Sequence, residues 1–320
     1  MRASAHVEPE AQEATKSVKA VARTAASAVS PFAAPIALSL ALDERLALWQ
    51  QRGQLGFFLP LGDWAGVLAA VCAATAPGDL LCPSARESRL AVFRGLPLAD
   101  YLLQHLGLDA SGSDPAQSLA GHALPGTIAD AARRVTTPGG SPAAHLPHAV
   151  GAAMAARYLK RDEAVVALAG AVATDADDCH VALNFAAVFR APVVFLFRGD
   201  SGRLPGEIAA RALGYAVHAE EVNGSDLPAV QRRLESMLAA ARAGKGPSVL
   251  EVTPPAPLEV EAAMLWQART QCDAAFALAQ RGRRPGLDSL THGVLAQPTW
   301  PLDEELRIVR GEPLVPPEEI

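Results

Sequence analysis

The stretch from His145 to Arg198 reads HLPHAVGAAMAARYLKRDEAVVALAGAVATDADDCHVALNFAAVFRAPVVFLFR, and its periodicities decide the fold. Val165 to Ala169 and Pro192 to Phe197 are short runs, apolar at nearly every position. That is the pattern of central strands buried on both faces of a parallel sheet. Between them, Asp177 to Arg190 reads as a helix, with Asp177 as its cap, Leu183, Ala186 and Phe189 on one side, and Pro192 beyond its end. Upstream, His148 to Tyr158 is helical and rich in small residues (Ala149, Gly151, Ala152, Ala153, Ala155), which permits close backbone approach to a neighbour. Strand, helix and strand in this order make a βαβ unit, whose crossover is right-handed.

On the N-terminal side, Leu42, Leu46, Leu48 and Trp49 suit a helix running from Leu38 to a stop near Gly53. Asp63 to Thr75 suits a second helix, Leu80 to Pro83 a short strand, and Arg86 to Leu106 one or two helices broken around Gly95. Residues 109–142, dense in Gly, Pro, Ser and Thr, suit a long loop over a site or a subunit surface. On the C-terminal side come a helix at Glu207 to Leu213, a strand at Tyr215 to Val222 and an Asn223-Gly224 turn with Ser225 as the next cap. Leu227 to Arg242 is an amphipathic helix expected to face inward through Leu227, Val230, Leu234 and Leu238 and to close at Gly244. Ser248 to Val252 is the last strand, followed by a helix at about Glu259 to Gln280 and a Pro-rich tail. This alternation predicts an α/β fold, doubly wound about a mainly parallel sheet. The expected divisions are a mobile arm at 1–37, the α/β domain at 38–253, and a C-terminal helix with its tail at 254–320.

A chain of 320 residues with net charge −6, only 19% charged residues and no block of like charge offers no electrostatic grip on nucleic acid or an anionic membrane. Cys72, Cys82, Cys179 and Cys272 lack CxxC or zinc-ligand spacing and suit buried thiols in a reducing cytosol. The apolar runs are too short to span a bilayer, and Glu8, Glu10 and Glu13 argue against a targeting peptide; a cytoplasmic location is expected.

Matches to one family run in order from about Leu42 to Thr253. They comprise LDERLALWQQRGQLGFF (Leu42 to Phe58), PSARE (Pro83 to Glu87), FRGLPLADYLLQHLG (Phe93 to Gly107), GHALP (Gly121 to Pro125), the central stretch, VNGSD (Val222 to Asp226) and GPSVLE (Gly246 to Glu251). Together they resemble the alpha subunit of thiamine-diphosphate-dependent 2-oxoacid dehydrogenases. The resemblance implies a thiamine-diphosphate-binding fold, a cofactor held through magnesium, and pairing with a beta subunit in an α2β2 assembly.

The family's cofactor motif is a GDG followed by NN. Here Gly170-Ala171-Val172 stands for GDG and Gly199-Asp200 for NN. Magnesium takes oxygen ligands in octahedral geometry; Ala171 has no side-chain oxygen where the family has its ligating aspartate, and Asp200 still offers one. Val172 adds a branched side chain at a turn expected to lie close to the diphosphate. Arg86 matches the family's diphosphate-binding arginine, whereas Ala85 replaces the tyrosine before it, Trp64 replaces a glutamate and Ala176 another acid. The family's histidine-containing loop after the last strand is replaced by Thr253-Pro254-Pro255-Ala256-Pro257. The vestigial cofactor residues are therefore Arg86, Gly170 and Asp200, with Asp200 the remaining metal ligand and no catalytic residue assigned.

Other clusters have plainer explanations. Asp175, Asp177 and Asp178 beside His180 suit a helix N-terminus, where acids cap and complement the dipole, and His145 and His148 suit structural roles. The expected function is that of an alpha-like chain impaired in catalysis, with thiamine diphosphate and magnesium bound weakly or not at all, retained as an assembly or regulatory partner of a beta-like subunit or associating with itself. The alternatives are an active alpha subunit decarboxylating a 2-oxoacid, using Arg86 and Asp200, and a non-enzymatic binding module.

Overall fold

The computed structural model describes residues 30–56, 58–109, 128–137, 140–200, 202–287, 297 and 299–312. Five strands, β1 (Leu80–Cys82), β2 (Val165–Gly170), β3 (Val193–Arg198), β4 (His218–Asn223) and β5 (Ser248–Thr253), form one sheet in the order β1-β2-β3-β5-β4. Every pairing is parallel. The described helices are α1 (Ala33–Gln51), α2 (Ala65–Ala74), α3 (Leu98–Leu106), α4 (His145–Tyr158), α5 (Asp177–Val188), α6 (Glu207–Leu213), α7 (Leu227–Arg242), α8 (Ala262–Ala279) and α9 (Trp300–Arg310), with a single helical turn at Leu90–Phe93.

Alternate strand residues face opposite sides, so the sheet organises two cores. Val166, Leu168, Val194, Leu196, Leu250 and Val252 pack with α1, α2, α7 and α8. Val165, Ala167, Ala169, Val193, Phe195, Phe197 and Val249 pack with α4, α5 and α6. Helices on both faces of a parallel sheet are what the doubly wound expectation required. The β2–β3 register runs from Val165 opposite Val193 to Gly170 opposite Arg198, so both strands end level. Their carboxyl edge is where open α/β sheets place ligand sites.

Several local expectations shift. α1 starts at Ala33, earlier than Leu38, because Phe32 and Ile36 add apolar contacts that extend its buried face. In α5, Leu183 and Ala186 are buried but Phe189 is exposed: the helix has ended at Val188, and Arg190 turns to φ 48°. Asp177 opens α5 without capping it; Ala176 holds the cap position, with no side-chain bond. Asp226, not Ser225, caps α7 by accepting from the Ala229 amide at 3.0 Å, and Ser225 Oγ instead accepts from the Ala256 amide at 2.8 Å. β4 begins at His218 because Ala216 adopts φ 57°, which interrupts an extended run from Tyr215. α9 was not foreseen, although Pro301 in its first turn and Asp303 are start signals; it has no buried residue. Most of the expected 109–142 loop, including GHALP, lies outside the described residues; Val135 within it bridges to Leu81. All four cysteines are free thiols, and among the described residues no helix is long and apolar enough to cross a membrane.

Candidate functional site

The site is built at the carboxyl ends of β1, β2 and β3. After β1, a short helical turn at Ala85–Glu87 begins with a capping box: the Ser84 amide donates to Glu87 Oε2 at 3.0 Å, and Ser84 Oγ bonds the same oxygen. This buries Glu87 completely, at 0% exposure. A buried carboxylate needs a counter-charge, and Arg198, the last residue of β3, donates to Glu87 Oε1 through Nε. The Arg198 guanidinium lies 5.6 Å from the centre of the Trp64 ring, and Nη2 is 3.2 Å from where a Cβ on Gly170 would stand. Any side chain at position 170 would press on that group.

Trp64 is positioned by a second, part-buried ion pair. Asp43 accepts from the amides of Leu61 at 3.1 Å and Gly62 at 2.8 Å, and Arg89 donates to it while also reaching Ser39 Oγ at 3.2 Å. The 61–64 turn is thereby tied to α1. Arg86 projects from the turn that buries Glu87 and donates to the Pro60 carbonyl at 2.8 Å. Burial, and next the positive charge of Arg198, hold the Arg86 pKa below its usual value. Of the two arginines, Arg198 pairs with the buried Glu87, whereas Arg86 donates to the Pro60 carbonyl. The terminal nitrogens of Arg198 donate to no acceptor among the described residues.

The positions expected to hold metal look different. Ala171 is a buried methyl at the start of a short helical turn, Ala171–Asp175, and its carbonyl accepts from Thr174 Oγ1 at 2.7 Å. Val172 is 62% exposed. Gly199 packs against the Val252 carbonyl, which would lie 3.0 Å from a Cβ. Asp200 is exposed, and its Oδ1 accepts from the Gly202 amide at 3.1 Å, closing its own loop. Ala85 is exposed. The structure therefore gathers Arg86, Gly170, Arg198, Glu87 and Trp64, while the Asp200 carboxylate closes a turn of its own. Among the described residues, no group of three or more His, Cys, Asp or Glu side chains is placed to hold a metal ion. The arginines fit a diphosphate; the oxygen set does not fit magnesium.

The remaining candidates have structural partners. Arg203 and Arg211 hold Asp175 and keep its pKa low, Arg211 at 3.0 Å. His180 Nδ1 meets Tyr215 Oη at 2.8 Å on the rim of a cavity of about 370 Å³ between α5 and α6, floored by Leu183, Phe197, Ile208 and Val249. His145 is buried, with Nε2 2.7 Å from the Leu168 carbonyl, so Nε2 carries the proton; burial lowers its pKa. His148 is exposed. Beyond β5, the Leu258 amide donates to Asp63 Oδ1 at 3.0 Å, tying the proline-rich loop to the turn that carries Trp64.

Sequence reasoning missed Arg198 and Glu87. The signal was an arginine closing the apolar run VVFLFR, since a charge at the end of a buried strand requires a partner.

The sequence pattern that defines the dehydrogenase E1 component matches residues 36–254. The 2-oxoisovalerate dehydrogenase subunit alpha of Bacillus subtilis is 28% identical over 224 residues, covering 67% of this chain and 66% of that protein. The 3-methyl-2-oxobutanoate dehydrogenase subunit alpha of Mycobacterium tuberculosis is 31% identical over 219 residues, covering 66% of this chain and 56% of that one. The chain thus spans somewhat less than two thirds of the length of these curated relatives. Among solved structures, a transketolase from Campylobacter jejuni superposes with a TM-score of 0.48 at 14% identity, covering 79% of this chain and 49% of that one. With the family pattern covering most of the α/β domain, the chain belongs to the dehydrogenase E1 component family and is alpha-subunit-like.

Proposed function

We propose that this chain is an E1 alpha-like protein impaired in catalysis, which serves as an assembly or regulatory partner of a beta-like subunit. One observation carries the proposal: Ala171 offers no side-chain oxygen where the family has its aspartate, leaving the exposed Asp200, whose Oδ1 accepts from the Gly202 amide, as the one side-chain oxygen of the motif, while β2 and β3 stay paired along their length. In this family the cofactor is thiamine diphosphate, which supplies the electron sink for decarboxylation, and the protein supplies position and electrostatics. This chain's contribution is limited to Arg86 and Arg198 as anion-holding groups, Glu87 and Trp64 orienting Arg198, and Asp43 fixing the Trp64 turn. No histidine stands in the loop after β5 to move a proton. The free thiols suit a reducing compartment, and we place the protein in the cytoplasm.

A second proposal, an active alpha subunit, draws support from the unspent donors of Arg86 and Arg198. Co-expression with a beta-like chain from a neighbouring reading frame separates the two. The impaired partner forms a stable complex that does not decarboxylate 2-oxoacids at saturating thiamine diphosphate and magnesium. Turnover by that complex, lost on Arg86→Met, would sink the proposal.

A further inference from the structure

The other edge of the sheet, at the amino ends of β2 and β3, is basic. A cavity of about 320 Å³ opens there, where the C-termini of α4, α5 and α7 meet, and Arg157, Lys160, Arg161, Arg190 and Arg242 line it. Two acids, Asp162 and Glu163, stand against these five cations, in a chain whose net charge is −6. Glu163 is already paired, with Arg134 at 2.5 Å and Arg161 at 3.6 Å, and Arg242 is held by Asp79. Helix C-termini carry partial negative charge and draw cations, which accounts for part of the cluster: Arg157 donates to the Phe189 carbonyl and Arg190 to the Gly244 carbonyl at 3.1 Å. It does not account for Lys160, whose ammonium has no hydrogen-bond partner among the described residues. The backbone adds a second observation. All three helices are followed by a left-handed residue, Lys160 at φ 52°, Arg190 at φ 48° and Gly244 at φ 74°. Glycine suits that position best; α7 uses it, whereas α4 and α5 place cations there, in a conformation that costs any side chain something.

We infer that this cavity binds a small phosphate-bearing anion, held by Lys160, Arg161 and Arg190. Guanidinium forks match pairs of phosphate oxygens, and an ammonium adds a compact charge with three donors. The volume is at the small end of ligand pockets, and no aromatic ring lines it on which a nucleobase could stack. Both features select a compact anion, such as a diphosphate or a phosphorylated small molecule. The inference goes beyond the proposed function and does not rest on it, because it uses no residue of the carboxyl edge.

The test is calorimetric titration of the intact chain with inorganic pyrophosphate in EDTA, at about 0.15 M salt, where scattered surface charges are screened beyond roughly 8 Å. Saturable binding is expected. Lys160→Gly should weaken it by about tenfold, the loss of one charge-assisted contact, and should melt no lower than the parent, since glycine relaxes the left-handed turn. Adding Arg190→Gly should abolish the binding. Failure to bind pyrophosphate up to about 10 mM would overturn the inference and leave the impaired-partner proposal standing. Undiminished binding in the double variant would overturn it by placing the anion elsewhere. A Lys160→Gly protein that melts several degrees lower would do so by making the lysine structural, and citrate binding as tightly as pyrophosphate would overturn the assignment to phosphate.

Discussion

Arg198 closes β3 and donates to Glu87, a carboxylate with 0% exposure that lies on the turn after β1. The pair ties the ends of two strands separated by β2. Removing one member of a buried pair strands the other, at a cost of about 3 to 5 kcal/mol. Arg198→Met should therefore destabilise by that amount in urea unfolding, and adding Glu87→Gln should recover most of it. Equal stability of the single and double variants would show that the pair is not coupled.

The α7 helix rests on the sheet through Val230, Leu234, Met237, Leu238 and Ala241, with Leu227 only half-buried at its start. Leu234→Ala should cost about 2 to 5 kcal/mol, and Leu227→Ala distinctly less. Chemical denaturation of the two variants checks the order, and a reversal would place the wrong face inward.

Two buried histidines make stability depend on pH. Burial holds the His105 pKa down at about 4, from an ordinary 6.5, and burial lowers His145 as well. Both are neutral when folded, and on unfolding below pH 6.5 they take up protons. Stability is therefore complete above pH 6.5 and falls as the pH drops from 6.5 toward 4, by up to about 1.4 kcal/mol per unit for His105. His105→Gln should flatten this slope in urea midpoints measured between pH 5 and 7. Identical slopes in both proteins would assign the pH dependence elsewhere.

The strands were legible because a sheet buried on both faces demands nearly continuous apolar runs such as VVALA and VVFLF. Helix ends were less so. Phe189 continues the apolar spacing of α5 on paper, yet the chain turns at Arg190 and leaves the ring exposed, a choice made by tertiary packing rather than by periodicity. In the site, absences were readable: Ala171 has no side-chain oxygen in any conformation. The partners were not, because Arg198 and Glu87 are 111 residues apart and meet only once β1 and β3 flank β2. Val172 shows the same limit from the other side, since its exposure follows from the direction of the turn after β2.

The proposed loss of magnesium-dependent cofactor binding is tested most directly by a thermal-shift comparison. A ligand at about 100 times its dissociation constant adds about 2.7 kcal/mol, which raises the melting temperature by several degrees. With millimolar thiamine diphosphate, exchanging EDTA for magnesium should move the melting temperature of the unmodified chain by less than about 1 °C, with or without a beta-like partner. The triple change Ala171→Asp, Val172→Gly, Asp200→Asn should restore a magnesium-dependent rise. A rise of several degrees on adding magnesium to the unmodified protein would contradict the account.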